Sequence, residues 1–348
     1  MPRYVFLLYP LALLVDFLTR IRNLCYDWGI FRSEKSPIST LVVGNISVGG
    51  SGKTPHVEWL IEKLRSEYKL GVLSRGYGRQ TSGFFKADRN STPEKIGDEP
   101  HQIFSRFNQE IPVFVGENRV EALNQIHSRE KGLDLIVLDD AFQHRRLKGD
   151  FYILLTPYQA PFFKDFLMPV GRLRENRTNA RRADAIVVTK CPQDISFEDQ
   201  ESFRTAIQAY TGHKPIFFSK LSYGTPYLVS SFSKYFTEEV ILVSALADDR
   251  LFKEYAEENF NVLEAIHFRD HYAYTRLDAS RIKQLAEKHS SRKPVILTTE
   301  KDAQKLKSLA DQGFFGDFPI FALPIQVKFE SKEEESLLCS IRLQLKST

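Results

Sequence analysis

Leu41-Val42-Val43-Gly44-Asn45-Ile46-Ser47-Val48-Gly49-Gly50-Ser51-Gly52-Lys53-Thr54 is an apolar run, a glycine-rich turn and a Gly-Lys-Thr triplet, and a helix-like segment from His56 to Ser66 follows it. The order predicts strand, loop, helix. Glycines let backbone N–H groups turn inward around phosphate oxygens at the helix N-terminus, Lys53 reaches the β and γ phosphates, and the Thr54 hydroxyl suits Mg²⁺. Ser47, Val48, Gly49, Gly50, Ser51, Gly52, Lys53 and Thr54 are therefore the expected nucleotide cradle, with Ser47 standing where the strict eight-residue pattern has glycine.

Outward from this loop, short apolar runs recur: Gly71–Leu73, Pro112–Val115, Leu135–Leu138, Tyr152–Leu155, Ala185–Thr189 and Pro215–Phe218. Apolar on both faces and separated by helix-like stretches, they read as parallel strands with helical crossovers. The expected architecture is a P-loop NTPase-like three-layer α/β/α sandwich. The run ending in Asp139-Asp140 delivers carboxylates to the C-terminal edge of that sheet, where ligands of open α/β sheets bind and where a Mg²⁺-holding acid belongs.

A second series, Val240–Val243, Val262–Ile266, Pro294–Thr298 and Pro319–Leu323, predicts a smaller α/β domain, with Leu221–Tyr235 as the linker. The expected division is 1–30, an N-terminal amphipathic membrane-interface helix; 31–225, the P-loop nucleotide-binding domain; and 226–348, a smaller α/β domain closing the cleft. The length of 348 residues suits about two domains, each able to bury its own core.

Lys plus Arg (48) against Asp plus Glu (44) leaves +4, too small and dispersed for a nucleic-acid footprint. Cys25, Cys191 and Cys339 lie far apart, which argues against a zinc or redox Cys-x-x-Cys site and fits a reducing compartment. Tyr4–Val15 is uncharged but too short to span a bilayer, and no small-x-small cleavage site follows it. Leu11, Leu14, Val15, Leu18 and Ile21 form one stripe at helical spacing, with Arg20, Arg22, Arg32 and Lys35 at its end. That pattern suits either a core helix or one lying on an anionic membrane surface.

Six further strings occur in order: Leu73-Ser74-Arg75-Gly76-Tyr77-Gly78-Arg79, Gly97-Asp98-Glu99-Pro100, Asp139-Asp140-Ala141-Phe142-Gln143-His144-Arg145-Arg146-Leu147, Leu167-Met168-Pro169-Val170-Gly171-Arg172-Leu173-Arg174-Glu175, Asp270-His271-Tyr272 and Thr299-Glu300-Lys301-Asp302. Together they resemble the tetraacyldisaccharide 4'-kinase family, the lipid A 4'-kinases of Gram-negative bacteria. Ala141, where the family usually has glycine, and Gly171-Arg172, where Gly-Pro is commoner, are the departures.

The resemblance implies ATP- and Mg²⁺-dependent phosphorylation of the 4'-hydroxyl of a tetraacylated glucosamine disaccharide 1-phosphate. It implies a peripheral enzyme at the cytoplasmic face of the bacterial inner membrane, with a monomer expected. An alcohol nucleophile needs a base, and Asp98 is the candidate. His271 matches the family's histidine and is expected to cross the cleft and tune Asp98. Glu99 and Asp139 are the choices for Mg²⁺ beside Thr54, and Asn45, Tyr77, Arg119, Gln143 and His144 for the acceptor. Thr299–Asp302 is similar to the base-reading Asn-Lys-x-Asp loop of GTPases. A GTPase-like switch or metallochaperone ATPase is the alternative, which leaves the N-terminal helix and the Ser-Arg-Gly-Tyr-Gly-Arg string without a role.

Overall fold

The computed structural model describes residues 8–107, 110–229, 235–246, 248–270 and 272–346. The chain forms two compact units, one of residues up to Leu221 together with those from Val327 onward, the other Ser222–Gln326.

The first unit is built on a nine-stranded sheet in the order Ile325–Phe329, Ile216–Tyr223, Ala185–Thr189, Phe151–Pro157, Ser39–Gly44, Leu135–Asp139, Leu70–Ser74, Val113–Val115 and Phe85–Lys86. From Ile216–Tyr223 to Val113–Val115 the neighbours pair in parallel, and the two-residue edge strand Phe85–Lys86 pairs antiparallel. Apart from half-buried Ser39, these central strands are buried, as parallel strands covered on both faces must be.

Period-two alternation assigns the layers. Leu41 and Val43 pack with Leu60 and Leu64 of the helix Lys53–Leu64 and with Leu337 and Ile341 of the helix Ser331–Lys346. Val42, between them, joins the cluster that holds Leu123 and Ile126 of the helix Arg119–Arg129 on the opposite face. The three-layer α/β/α expectation therefore holds.

The second unit carries a five-stranded sheet, Tyr227–Leu228, Ile320–Leu323, Val295–Thr299, Glu239–Ser244 and Asn261–His267, parallel apart from Tyr227–Leu228. Its extent differs from the expected 226–348, because the chain returns to the first unit at Val327. The amphipathic helix Ser331–Lys346 buries Leu337, Leu338, Ile341 and Leu345 in the first unit's core. Sequence spacing reveals that such a helix has an apolar face and not which sheet receives it.

Candidate active site

The strand Ser39–Gly44 ends in the phosphate loop, and Gly52 turns the chain into the helix Lys53–Leu64 with φ +80°, a left-handed conformation natural to glycine. The loop is braced from several sides. Asn45 Nδ2 donates to Ser51 Oγ at 2.9 Å, and the Thr189 hydroxyl donates to the Ser51 carbonyl at 2.9 Å. Val48 N donates to the Arg172 carbonyl and Arg174 N to that of Ile46, each at 2.8 Å, so the Leu167–Glu175 string forms a rim along the loop.

Buried His56 bonds through Nδ1 to the Gly52 carbonyl at 2.7 Å and through Nε2 to Ser219 Oγ at 2.9 Å. Burial, with the Lys190 charge adding to it, lowers its pKa to about 4 despite the Gly52 bond, so the ring is neutral. Nδ1 then carries the proton toward the carbonyl and Nε2 accepts the serine hydroxyl. Sequence reading did not select His56, because its partner Ser219 lies on another strand.

Beside the loop, the strand Leu135–Asp139 places Asp139 and Asp140 at the sheet's carboxyl edge. Asp140, left-handed at φ +51°, holds Arg174 Nη1 at 3.1 Å and stands 3.7 Å from Lys53 Nζ. Asp139 is buried, and its Oδ2 accepts the Ser74 hydroxyl at 3.3 Å. Its Oδ1 has no hydrogen-bond partner among the described residues. Burial, then the charges of Asp140 and Glu99, push Asp139 up to about 7 against the pull of Lys53 and Arg119. A buried, unpartnered carboxylate oxygen among like charges has the chemistry that a cation would satisfy. Mg²⁺ is held through one or two carboxylates together with nucleotide phosphates, so Asp139, Glu99 and the half-buried Thr54 fit it.

Asp98 and Glu99, both half-buried, open the helix Asp98–Arg106. Gly97 before them packs on the Gly76–Tyr77 backbone so closely that a Cβ would lie 3.1 Å from it, and this contact ties the Gly-Asp-Glu-Pro turn to the Arg-Gly-Tyr-Gly loop. Arg119 is buried, donates to the Gly116 carbonyl, and has an Nε without a partner among the described residues. Burial lowers it to about 10, still charged at neutral pH. Gln143 Nε2 donates to the Asn45 carbonyl at 2.7 Å and to Glu175 at 3.0 Å, joining the acidic strand end to the phosphate loop. Burial and the positive Arg119, Arg22, Arg146 and Arg75 lower His144 to about 4. Tyr77 is 74% exposed.

The helix Tyr9–Asp27 is fastened to the same loop. Arg22 donates to the Gln143 carbonyl at 3.1 Å, Arg145 pairs with Asp27 at 2.7 Å, and Asn23 is buried. Its other face presents Leu11, Leu14, Leu18 and Ile21 outward. Among the described residues no helix is long and apolar enough to cross a membrane.

In the second unit, Thr299 caps the helix Glu300–Asp311. Asp302, fully buried, accepts from Ala245 N at 2.9 Å and Thr299 Oγ1 at 2.8 Å. Lys301 pairs with Asp270 at 2.8 Å. These bonds of the string likened to a base-reading loop lie inside the second unit. His271 lies outside the described residues.

The family model described as tetraacyldisaccharide-1-P 4'-kinase matches residues 4–342. The tetraacyldisaccharide 4'-kinase of Flavobacterium psychrophilum is 37% identical over 94% of this chain and 93% of its own length. That of Bacteroides thetaiotaomicron is 35% identical over 94% and 90%. The solved structure of LpxK from Aquifex aeolicus in complex with ATP is similar with a TM-score of 0.75 at 29% identity, covering 98% of this chain and 99% of that one. Matched from end to end in both sequence and fold, the chain belongs to the tetraacyldisaccharide-1-P 4'-kinase family.

Proposed function

We propose that the phosphate loop and the Asp139–Asp140 strand end form the active site of this kinase, which uses ATP to phosphorylate the 4'-hydroxyl of a tetraacylated disaccharide 1-phosphate in lipid A biosynthesis. The observation that carries this reading is the meeting of Lys53 with the acid pair, 3.7 Å from Asp140 and beside the unpartnered Asp139 Oδ1. Residues 47–54 bind the phosphates, and Lys53 neutralises charge developing on the γ-phosphoryl group. Thr54, Asp139 and Glu99 would hold Mg²⁺, which would supply positive charge to offset that of the nucleotide phosphates.

Asp98 takes the proton of the acceptor hydroxyl, and the resemblance gives it His271 as partner. Arg119, with Arg75 and Arg22 around neutral His144, offers positive charge to the acceptor's phosphate. Asn45, Gln143 and His144 line the same edge, and Tyr77 offers a ring and a hydroxyl to the sugars.

The helix Tyr9–Asp27 lies on the bilayer surface. Its apolar stripe faces outward, Arg20 and Arg32 are exposed beside it, and its opposite face is bonded to the acceptor loop. Attachment there presents the loop to a lipid whose acyl chains stay in the membrane.

The test is incubation of purified protein with γ-labelled ATP and the lipid disaccharide in detergent. Label moving to lipid supports the reading. Label released only as inorganic phosphate favours a switch ATPase and overturns it.

A further inference from the structure

Two helices of the first unit pack on one another, Lys53–Leu64 after the phosphate loop and Asp98–Arg106 after the Gly97 turn. Leu60 and Ile61 of the one share an apolar cluster with Ile103 and Phe104 of the other. Beside that cluster runs a row of polar contacts. Glu62 accepts from Arg106 Nη2 at 3.1 Å, Glu58 Oε2 stands 3.0 Å from Arg106 Nη1, and Glu58 Oε1 accepts from Gln102 Nε2 at 2.9 Å. The Glu58 side chain is 2% exposed, whereas that of Glu62 is 45% exposed.

The row steps by four residues on both helices, from Glu62 to Glu58 on the first and from Arg106 to Gln102 on the second, so the helices run parallel and each engages one face. One further step toward the N-termini reaches Thr54 on the first helix and Asp98 on the second. Four residues advance an α-helix by about 6 Å, equally on both sides, so the row brings Thr54 of the phosphate loop and Asp98 onto facing positions. Both are half-buried at the starts of their helices. Apolar contact is non-directional, whereas charge-assisted bonds are short and have fixed directions. A buried ion pair is weak evidence for stability, and its best-attested use is to fix register.

We infer that Glu58 is a positioning residue for phosphoryl transfer: by pairing with Gln102 and Arg106 it sets the register of the two helices and so holds the Asp98 carboxylate against the phosphate loop at the spacing that transfer needs. Glu58, one turn inside its helix, acts through Asp98. A misplacement of about 1 Å is enough to cost about 10²-fold in rate. The inference rests on the reading of Asp98 as the base and of residues 47–54 as the ATP loop, and it adds what fixes the distance between them.

The test is a double-mutant cycle on kcat for the full-length protein, with γ-labelled ATP and the lipid disaccharide in detergent. Glu58→Met keeps a similar volume and removes both pairings, while Arg106 retains Glu62. Gln102→Met, at a half-buried position, removes the contact nearest Asp98 and keeps the cycle readable if the first variant does not fold. We expect kcat to fall about tenfold or more in Glu58→Met and about threefold or more in Gln102→Met, with KM for ATP and calorimetric ADP affinity within about threefold of the parent. In an Asp98→Ala background either substitution should lower kcat by less than about twofold further. The same loss in both backgrounds is what a merely structural role produces and would overturn the inference, as would kcat within about twofold of the parent in both variants. Failure of the underlying reading is distinguishable: Asp98→Ala alone then leaves kcat near that of the parent, or the parent does not bind ADP, and the register falls with it.

Discussion

The Nδ1–H of His56 donates to the Gly52 carbonyl at 2.7 Å, so the last glycine of the phosphate loop is held by a side chain one turn into the helix it opens. Removing the ring leaves that carbonyl and the Ser219 hydroxyl without this partner in a buried site, which costs about 1–3 kcal/mol. His56→Ala should therefore lower the urea midpoint and weaken ADP binding together. Loss of stability with ADP affinity untouched would restrict the ring to packing.

Lys53 and Thr54 make contacts that strengthen as charge builds on the transferred group. Lys53→Ala and Thr54→Ala should each reduce kcat by about 10² or more, equivalent to roughly 3 kcal/mol of transition-state stabilisation, while the far-ultraviolet circular dichroism stays that of the parent. Steady-state assays on both variants settle this, and activity within threefold of the parent would remove the residue from the site.

The outward stripe of the first helix predicts a separable attachment function. Leu14→Glu with Leu18→Glu should abolish co-sedimentation with anionic vesicles, each lost leucine being worth up to about 2 kcal/mol of transfer free energy. ATP affinity should be unchanged, because the face bonded to Gln143 and Arg145 is untouched. Full vesicle binding by the double variant would mean that another surface docks.

His144 predicts a pH dependence of stability. Its folded value is about 4 and its ordinary value 6.5, because burial and four nearby arginines oppose the charged ring. Between those values protons bind the unfolded chain preferentially, so the contribution is complete above pH 6.5 and is lost as pH falls toward 4. The slope is below the limit of about 1.4 kcal/mol per pH unit for one proton, since the ring is half-buried. Chemical denaturation at pH 7, 6 and 5 should show a shallower decline in His144→Gln than in the parent; parallel declines would exclude this histidine as the cause.

What the sequence by itself determined is local. The phosphate loop, the parallel strands and the acid pair Asp139–Asp140 are written in runs of a few residues, because a strand buried on both faces must be apolar throughout and a phosphate cradle needs glycines before its lysine. Tertiary structure decided where such pieces meet. Two similar strings follow buried strands, Thr189-Lys190 and Thr299-Glu300-Lys301-Asp302, and nothing in their residue types ranks them. The first lies against Ser51, whereas the second turns Asp302 inward to Ala245 and Thr299. The edge strands Phe85–Lys86 and Tyr227–Leu228 are too short to carry a period. The first helix has one apolar stripe in either environment, and tertiary contacts, among them the packing of Asn23 and the bonds from Arg22 and Arg145, turn that stripe outward. Likewise, Ser331–Lys346 returns to the first unit because its leucines complete a cluster with Leu41 and Leu60, residues far from it in the chain. Local patterning fixes what an element is, and long-range burial, which no short window contains, fixes what it touches.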